Sequence, residues 1–118
     1  MISSTSSTHD RRREARHPVS VVVALERADG KERLSLLRDI STSGARMMVA
    51  TNKLCVGEGV RLQLRFGDRD CAVHGQLLRV ESTEDTGIWK QEVAVRFDEP
   101  LRVDVRQLTW PTRALHPS

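Results

Sequence analysis

From Val60 to Phe66 the chain reads Val-Arg-Leu-Gln-Leu-Arg-Phe, apolar at every even number and polar at every odd one. Side chains of a β-strand point alternately to its two faces, so this segment is built to bury one face and wet the other. A helix would spread the same apolar residues round its axis. Comparable segments recur. Val19 to Leu25 is rich in β-branched residues and runs towards Asp29-Gly30, a hairpin-type turn pair. Glu32 to Asp39, with Leu34, Leu36 and Leu37, predicts its partner strand. Ala45 to Val49 follows a polar turn, and Gly67-Asp68 turns Val60–Phe66 into a long strand from Asp70 to about Glu81. Gly75 within that strand predicts a bend or bulge. Val93, Val95 and Phe97 line one face of a last strand, with Arg96 on the other. Strands separated by turn signals at near-regular intervals predict an all-β antiparallel barrel. Pro100 is suited to the first position of a short helix in which Leu101, Val105 and Leu108 fall at helical spacing, and Pro111 ends it.

With 118 residues the chain holds one domain. Residues 1–10 are Ser/Thr-rich with little to bury and are expected to be disordered; 111–118 is expected to be a flexible tail. Between them lie a basic arm (11–18), the barrel (19–98) and the helix (about 100–108). Phe66, Trp89, Phe97 and Trp110 are the aromatics, so the core rests on Val, Leu, Ile and Met. Cys55 and Cys71 lack Cys-x-x-Cys spacing and read as small buried hydrophobes in a reduced, cytoplasmic protein. The longest apolar run is far short of the roughly 20 residues of a membrane helix, so no membrane insertion is expected.

The formal net charge of +3 comes from 19 basic and 16 acidic residues spread along most of the chain. Positive charge is concentrated only at Arg11, Arg12, Arg13 and Arg16. That favours a local anion site over a broad nucleic-acid surface. A guanidinium fork matches phosphate oxygens and equally the O6 and N7 acceptors of guanine. Arg12 and Arg16 would share one face of a helical turn, although Pro18 disfavours helix at His17. In an extended segment they would stand roughly 13 Å apart. Either geometry lets two guanidiniums grip different parts of one small ligand. The turn Asp39-Ile40-Ser41-Thr42-Ser43-Gly44 adds complementary groups. The Asp39 carboxylate can accept from the N1–H and N2–H₂ edge of guanine, and Ser41 can donate to a phosphate. Gly44 can take backbone angles closed to other residues and leaves space for a ligand or an amide contact. Taken singly, the arm is also what a solvated basic segment looks like, and the turn is also an ordinary Asp/Ser strand connection. Together they suggest a receptor for an anionic guanine nucleotide.

Arg12-x-x-x-Arg16 with Asp39-x-Ser41-x-x-Gly44 resembles the signature of the PilZ domain, a bacterial receptor for the second messenger cyclic di-GMP. The resemblance covers about residues 11 to 108. Arg16-His17-Pro18-Val19, Gly44-Ala45-Arg46-Met47, Val56-Gly57-Glu58-Gly59-Val60, Leu77-Leu78-Arg79-Val80 and Val93-Ala94-Val95-Arg96-Phe97 are all similar to that family. It implies a six-stranded antiparallel barrel with a short C-terminal helix. It implies that Arg12 and Arg16 take phosphate and the guanine Hoogsteen edge, and that Asp39 and Ser41 hold guanine and phosphate at a turn shaped by Gly44. Arg11 matches the arginine that in this family favours an intercalated ligand dimer, and Arg79 lies at a strand position facing the ligand. The mechanism so implied is a switch. The arm, mobile without ligand, is ordered onto the barrel by the dinucleotide and presents a new surface to a partner protein.

Two other functions compete. One is a PilZ-like interaction module that binds no nucleotide, which the intact arginine pair argues against. The other is a small nucleic-acid-binding barrel, which would need aromatic stacking platforms that four aromatics scarcely supply. An enzyme is not expected: His9, His17, His74 and His116 are scattered, with no nucleophile–base pair, no metal-ligand spacing and no cofactor implied.

Overall fold

The computed structural model describes residues 16–83 and 87–109; the expected N-terminal tail, most of the arginine arm and the C-terminal tail lie outside the described residues. Six long strands run β1 (His17–Arg27), β2 (Glu32–Ile40), β3 (Gly44–Val49), β4 (Gly59–Phe66), β5 (Arg69–Ser82) and β6 (Gln91–Phe97). All neighbouring pairs are antiparallel, in the order β1-β2-β3-β6-β5-β4, and Leu25–Arg27 of β1 closes the ring against Val60–Leu62 of β4. Closure removes the exposed edges that an open sheet would leave. The predicted six-stranded antiparallel barrel is the fold observed.

Alternation explains the interior. Val60, Leu62, Leu64 and Phe66 are all buried, as their even spacing predicts, and meet Val23, Leu25, Leu37, Met47, Val49, Leu77, Val93 and Val95 in one core. The β1–β2 hairpin turns where expected: Gly30 takes φ 84° and the Asp29 carboxylate accepts from the Lys31 amide at 2.9 Å. That bond, helped by neighbouring cations, holds the Asp29 carboxyl below its ordinary range. Two buried polar side chains are fully engaged. Ser35 donates to the Val23 carbonyl at 2.8 Å, and Gln91 clamps Leu54 through both its amide groups. Ser35→Ala is expected to cost about 1–2 kcal/mol, because the Val23 carbonyl would lose its buried donor; chemical denaturation measures it, and an unchanged midpoint would contradict it.

Three local expectations need correction. The helix from Pro100 is one 3-10 turn, Val105–Gln107, followed by a two-residue strand β7 (Leu108–Thr109) paired to Arg65 and Phe66 of β4. Leu101, Val105 and Leu108 still pack against the core, but long-range bonds displace the α-helical ones. Leu101 N–H donates to Thr42 and Gly67 N–H to Gln107. Asp104 caps the turn through the Arg106 amide at 3.0 Å, and its ion pair with Arg106 holds the Asp104 carboxyl below its ordinary range. A lowered folded pKa means the cap is present at neutral pH and is lost as pH falls through that lowered value. The Arg106 amide resonance should therefore move only in acid, and a shift near pH 7 would contradict it. Second, Gly75 marks a close approach and not a bulge: a Cβ there would lie 2.5 Å from the Arg96 carbonyl oxygen. The bulge of β5 lies between Leu77 and Arg79. Third, Cys55 is exposed and Cys71 half-buried; both thiols are free.

Candidate ligand-binding site

Bulges decide which side chains reach the outer wall. In β2 Ser35 and Leu37 face inward, so strict alternation would turn Asp39 into the core as well. The register shift between Leu37 and Asp39 inserts one residue, sends the Asp39 side chain outward and returns Ile40 to full burial. The bulge in β5 does the same. Val73, Gly75 and Leu77 face inward, and the extra residue at Leu78 puts Arg79 and Glu81 on the surface. Both bulges thus present candidate site residues on one wall.

Asp39 is the hub. It pairs across β1 with Pro18 and across β3 with Arg46. Arg16, two residues before Pro18, donates from Nη1 to Asp39 Oδ1 at 2.8 Å, so the second arginine of the arm and the carboxylate of the turn stand together. Arg46 Nε lies 3.4 Å from Asp39 Oδ2, and its Nη2 lies 3.7 Å from Glu92 Oε2. The Arg16 side chain is 52% exposed and that of Asp39 15%. An ion pair this open contributes only about 0–1 kcal/mol to stability.

The turn is held by its own serine. Ser41 N–H donates to the Gly44 carbonyl at 2.8 Å, and the Ser41 hydroxyl accepts from the amides of Ser43 and Gly44, each at 3.2 Å. That side chain is 2% exposed, so reaching a phosphate requires bonds of the turn to be exchanged. Gly44 has ordinary negative-φ backbone, and its reason is proximity. A Cβ would sit 2.4 Å from the Val95 carbonyl oxygen of β6. The turn is also tied to the chain after β6: Phe97 N–H donates to Ser43 and Leu101 N–H to Thr42, both at 2.8 Å.

Next to this hub, β6 contributes a small residue. Ala94 pairs with Arg46 on one side and Arg79 on the other, and the low floor leaves a hollow of about 130 Å³ lined also by Glu81, Glu92 and Val93. Arg79 is therefore on the same wall as Asp39, three strands away across β3 and β6. The sequence offers Arg46 only within the family-like stretch Gly44-Ala45-Arg46-Met47 and not as a site residue; its signal is its place two residues after Gly44, outward on β3 and directly opposite the bulged Asp39. Arg11 and Arg12 lie outside the described residues.

A search of curated proteins finds no match to the chain. The chain matches the PilZ domain family over residues 10–110, a span containing every site residue discussed above. On the closed antiparallel barrel, the Arg16–Asp39 junction and this match, the chain belongs to the PilZ domain family.

Proposed function

We propose that this protein is a receptor for cyclic di-GMP that signals to a partner protein through its N-terminal arm. The observation that carries the reading is the 2.8 Å contact between Arg16 and Asp39, which joins the two halves of the signature at one surface point. Arg16 supplies donors for a phosphate or for guanine O6 and N7, and Asp39 supplies two acceptors for the N1–H and N2–H₂ edge. Ser41 and Gly44 give the turn its shape. Arg12 adds a second grip from the arm, Arg11 favours a second stacked ligand, and Arg79 reaches in from β5. Two phosphate charges draw the arm inward, and the ordered arm with its ligand forms the surface a partner reads. The bias towards that state equals the ligand's differential affinity for the two arm states. Binding, not chemistry, is the proposed activity.

A single-strand nucleic-acid barrel is disfavoured by the position of the aromatics. Phe66 and Phe97 are buried in the core and Trp89 is half-buried, so the described residues offer no exposed phenylalanine or tryptophan ring for stacking. Calorimetric titration tests the reading. Cyclic di-GMP should bind with micromolar or tighter affinity and cyclic di-AMP at least tenfold more weakly, since adenine presents a single exocyclic donor where guanine presents the paired N1–H and N2–H₂. Equal affinities, or no heat with cyclic di-GMP, would overturn it.

A further inference from the structure

We infer that the hollow over Ala94 is a guanine-base subsite, with Arg46 reading the Hoogsteen edge and Glu92 the Watson–Crick edge. The inference rests on the nucleotide reading above and extends it to residues outside the signature. Arg46, Ala94 and Arg79 form one row across β3, β6 and β5, which places the two arginine backbones roughly 10 Å apart. The methyl group between them leaves a shallow floor of about 130 Å³. In the next row Glu92 stands directly opposite Glu81.

This charge pattern is not what the fold requires. Like charges directly opposite on neighbouring strands are destabilising, and Glu81 and Glu92 are such a pair. Arg46 answers them incompletely: its contacts to Asp39 and Glu92, at 3.4 and 3.7 Å, are both longer than good hydrogen bonds. The Arg79 side chain is exposed and has no ion-pair or hydrogen-bond partner among the described residues. Two guanidiniums along one rim of a small open floor and two carboxylates along the next, joined by the loose Arg46–Glu92 contact, thus turn most of their donors and acceptors to solvent, where a ligand can meet them.

A bare phosphate would suit the arginines and be repelled by Glu81 and Glu92. A simple cation would meet the reverse. Guanine satisfies both rims at once, because O6 and N7 accept from a guanidinium while N1–H and N2–H₂ donate to a carboxylate. The hollow adjoins Asp39 through Arg46, so the base comes either from the other half of the dinucleotide held at Asp39 or from a second molecule stacked on it.

Calorimetry with cyclic di-GMP on the unaltered protein, Arg46→Ala, Glu92→Gln and Arg16→Ala tests the assignment. Arg46→Ala is expected to weaken binding about tenfold or more, the scale of one lost charge-assisted bond. Glu92→Gln should also weaken binding about tenfold, because an amide offers one acceptor where N1–H and N2–H₂ need two. A phosphate subsite instead predicts unchanged or tighter binding for Glu92→Gln, and that result overturns the guanine assignment. Loss of one ligand equivalent per chain in these variants identifies a second molecule as the source, and weaker binding at constant stoichiometry identifies the same molecule; both support the subsite. If Arg16→Ala loses binding while Arg46→Ala and Glu92→Gln bind as the unaltered protein does, the subsite is wrong and the functional reading stands. If the unaltered protein does not bind at all, both fall.

Discussion

Gly44→Ala is expected to lose about 2–3 kcal/mol of folding stability, seen as a lower urea midpoint at unchanged slope. The added methyl would meet the Val95 carbonyl oxygen at 2.4 Å, and that atom is backbone inside a paired strand. Neither partner can rotate away. β3 would have to separate from β6 at the Gly44–Arg96 pair or the turn would have to reopen, and overpacking of this kind typically costs 1–3 kcal/mol. In a domain of this size the melting temperature should fall by roughly 8–15 °C, taking about 4–5 °C per kcal/mol. The result separates two roles for the same glycine. If Gly44 served only to clear space for a ligand, stability would be unchanged and affinity alone would fall. A urea midpoint within error of the unaltered protein would contradict the packing account.

Arg16→Ala should give the opposite signature. Its ion pair with Asp39 is half exposed, so removing it should change stability by less than about 1 kcal/mol. Its guanidinium is the arm's described contact with the hub, so cyclic di-GMP binding should weaken by about 10- to 100-fold, the range for lost charge-assisted hydrogen bonds. Arg16→Lys should recover only part of the loss, since an ammonium keeps the charge but cannot present a planar fork. Full recovery by lysine would reduce the role of Arg16 to a point charge. An unchanged affinity for Arg16→Ala would remove it from the site.

The strands were legible because burial on one face leaves a period of two in the residues themselves. Val60 to Phe66 shows this most cleanly: its four even-numbered apolar residues are all in the core. The bulges were not legible, and their physics says why. One inserted residue reverses the phase of everything beyond it while leaving composition untouched, so Asp39 and Arg79 read as strand positions whose direction only pairing can settle. The doublet Leu77-Leu78 was the trace of the second bulge, with Leu77 buried and Leu78 exposed.

The signature residues were legible, but the work some of them do was not. Ser41 read as a phosphate donor because a hydroxyl in a turn is a plausible one; in the fold it receives two turn amides and is buried. Gly44 read both as a residue for unusual backbone angles and as one that leaves space for a ligand or an amide; its backbone angles are ordinary, and the space is filled by the β6 backbone. The C-terminal helix was inferred from apolar spacing, a local signal that the bonds from Leu101 to Thr42 and from β7 to β4 override. Arg46 is legible in the sequence only as part of the stretch Gly44-Ala45-Arg46-Met47, because its place beside Asp39 is cross-strand, created by the register.

Amide chemical-shift mapping of the isotopically labelled protein during a cyclic di-GMP titration tests the central claim most directly. The account predicts the largest movements at Arg16 to Val19, Asp39 to Arg46, Arg79 and Ala94, with smaller ones relayed through Phe97 and Leu101 to the chain bonded to the turn. Shifts confined to the opposite wall, around Glu26, Arg61 and His74, or no shifts at millimolar nucleotide, would contradict it.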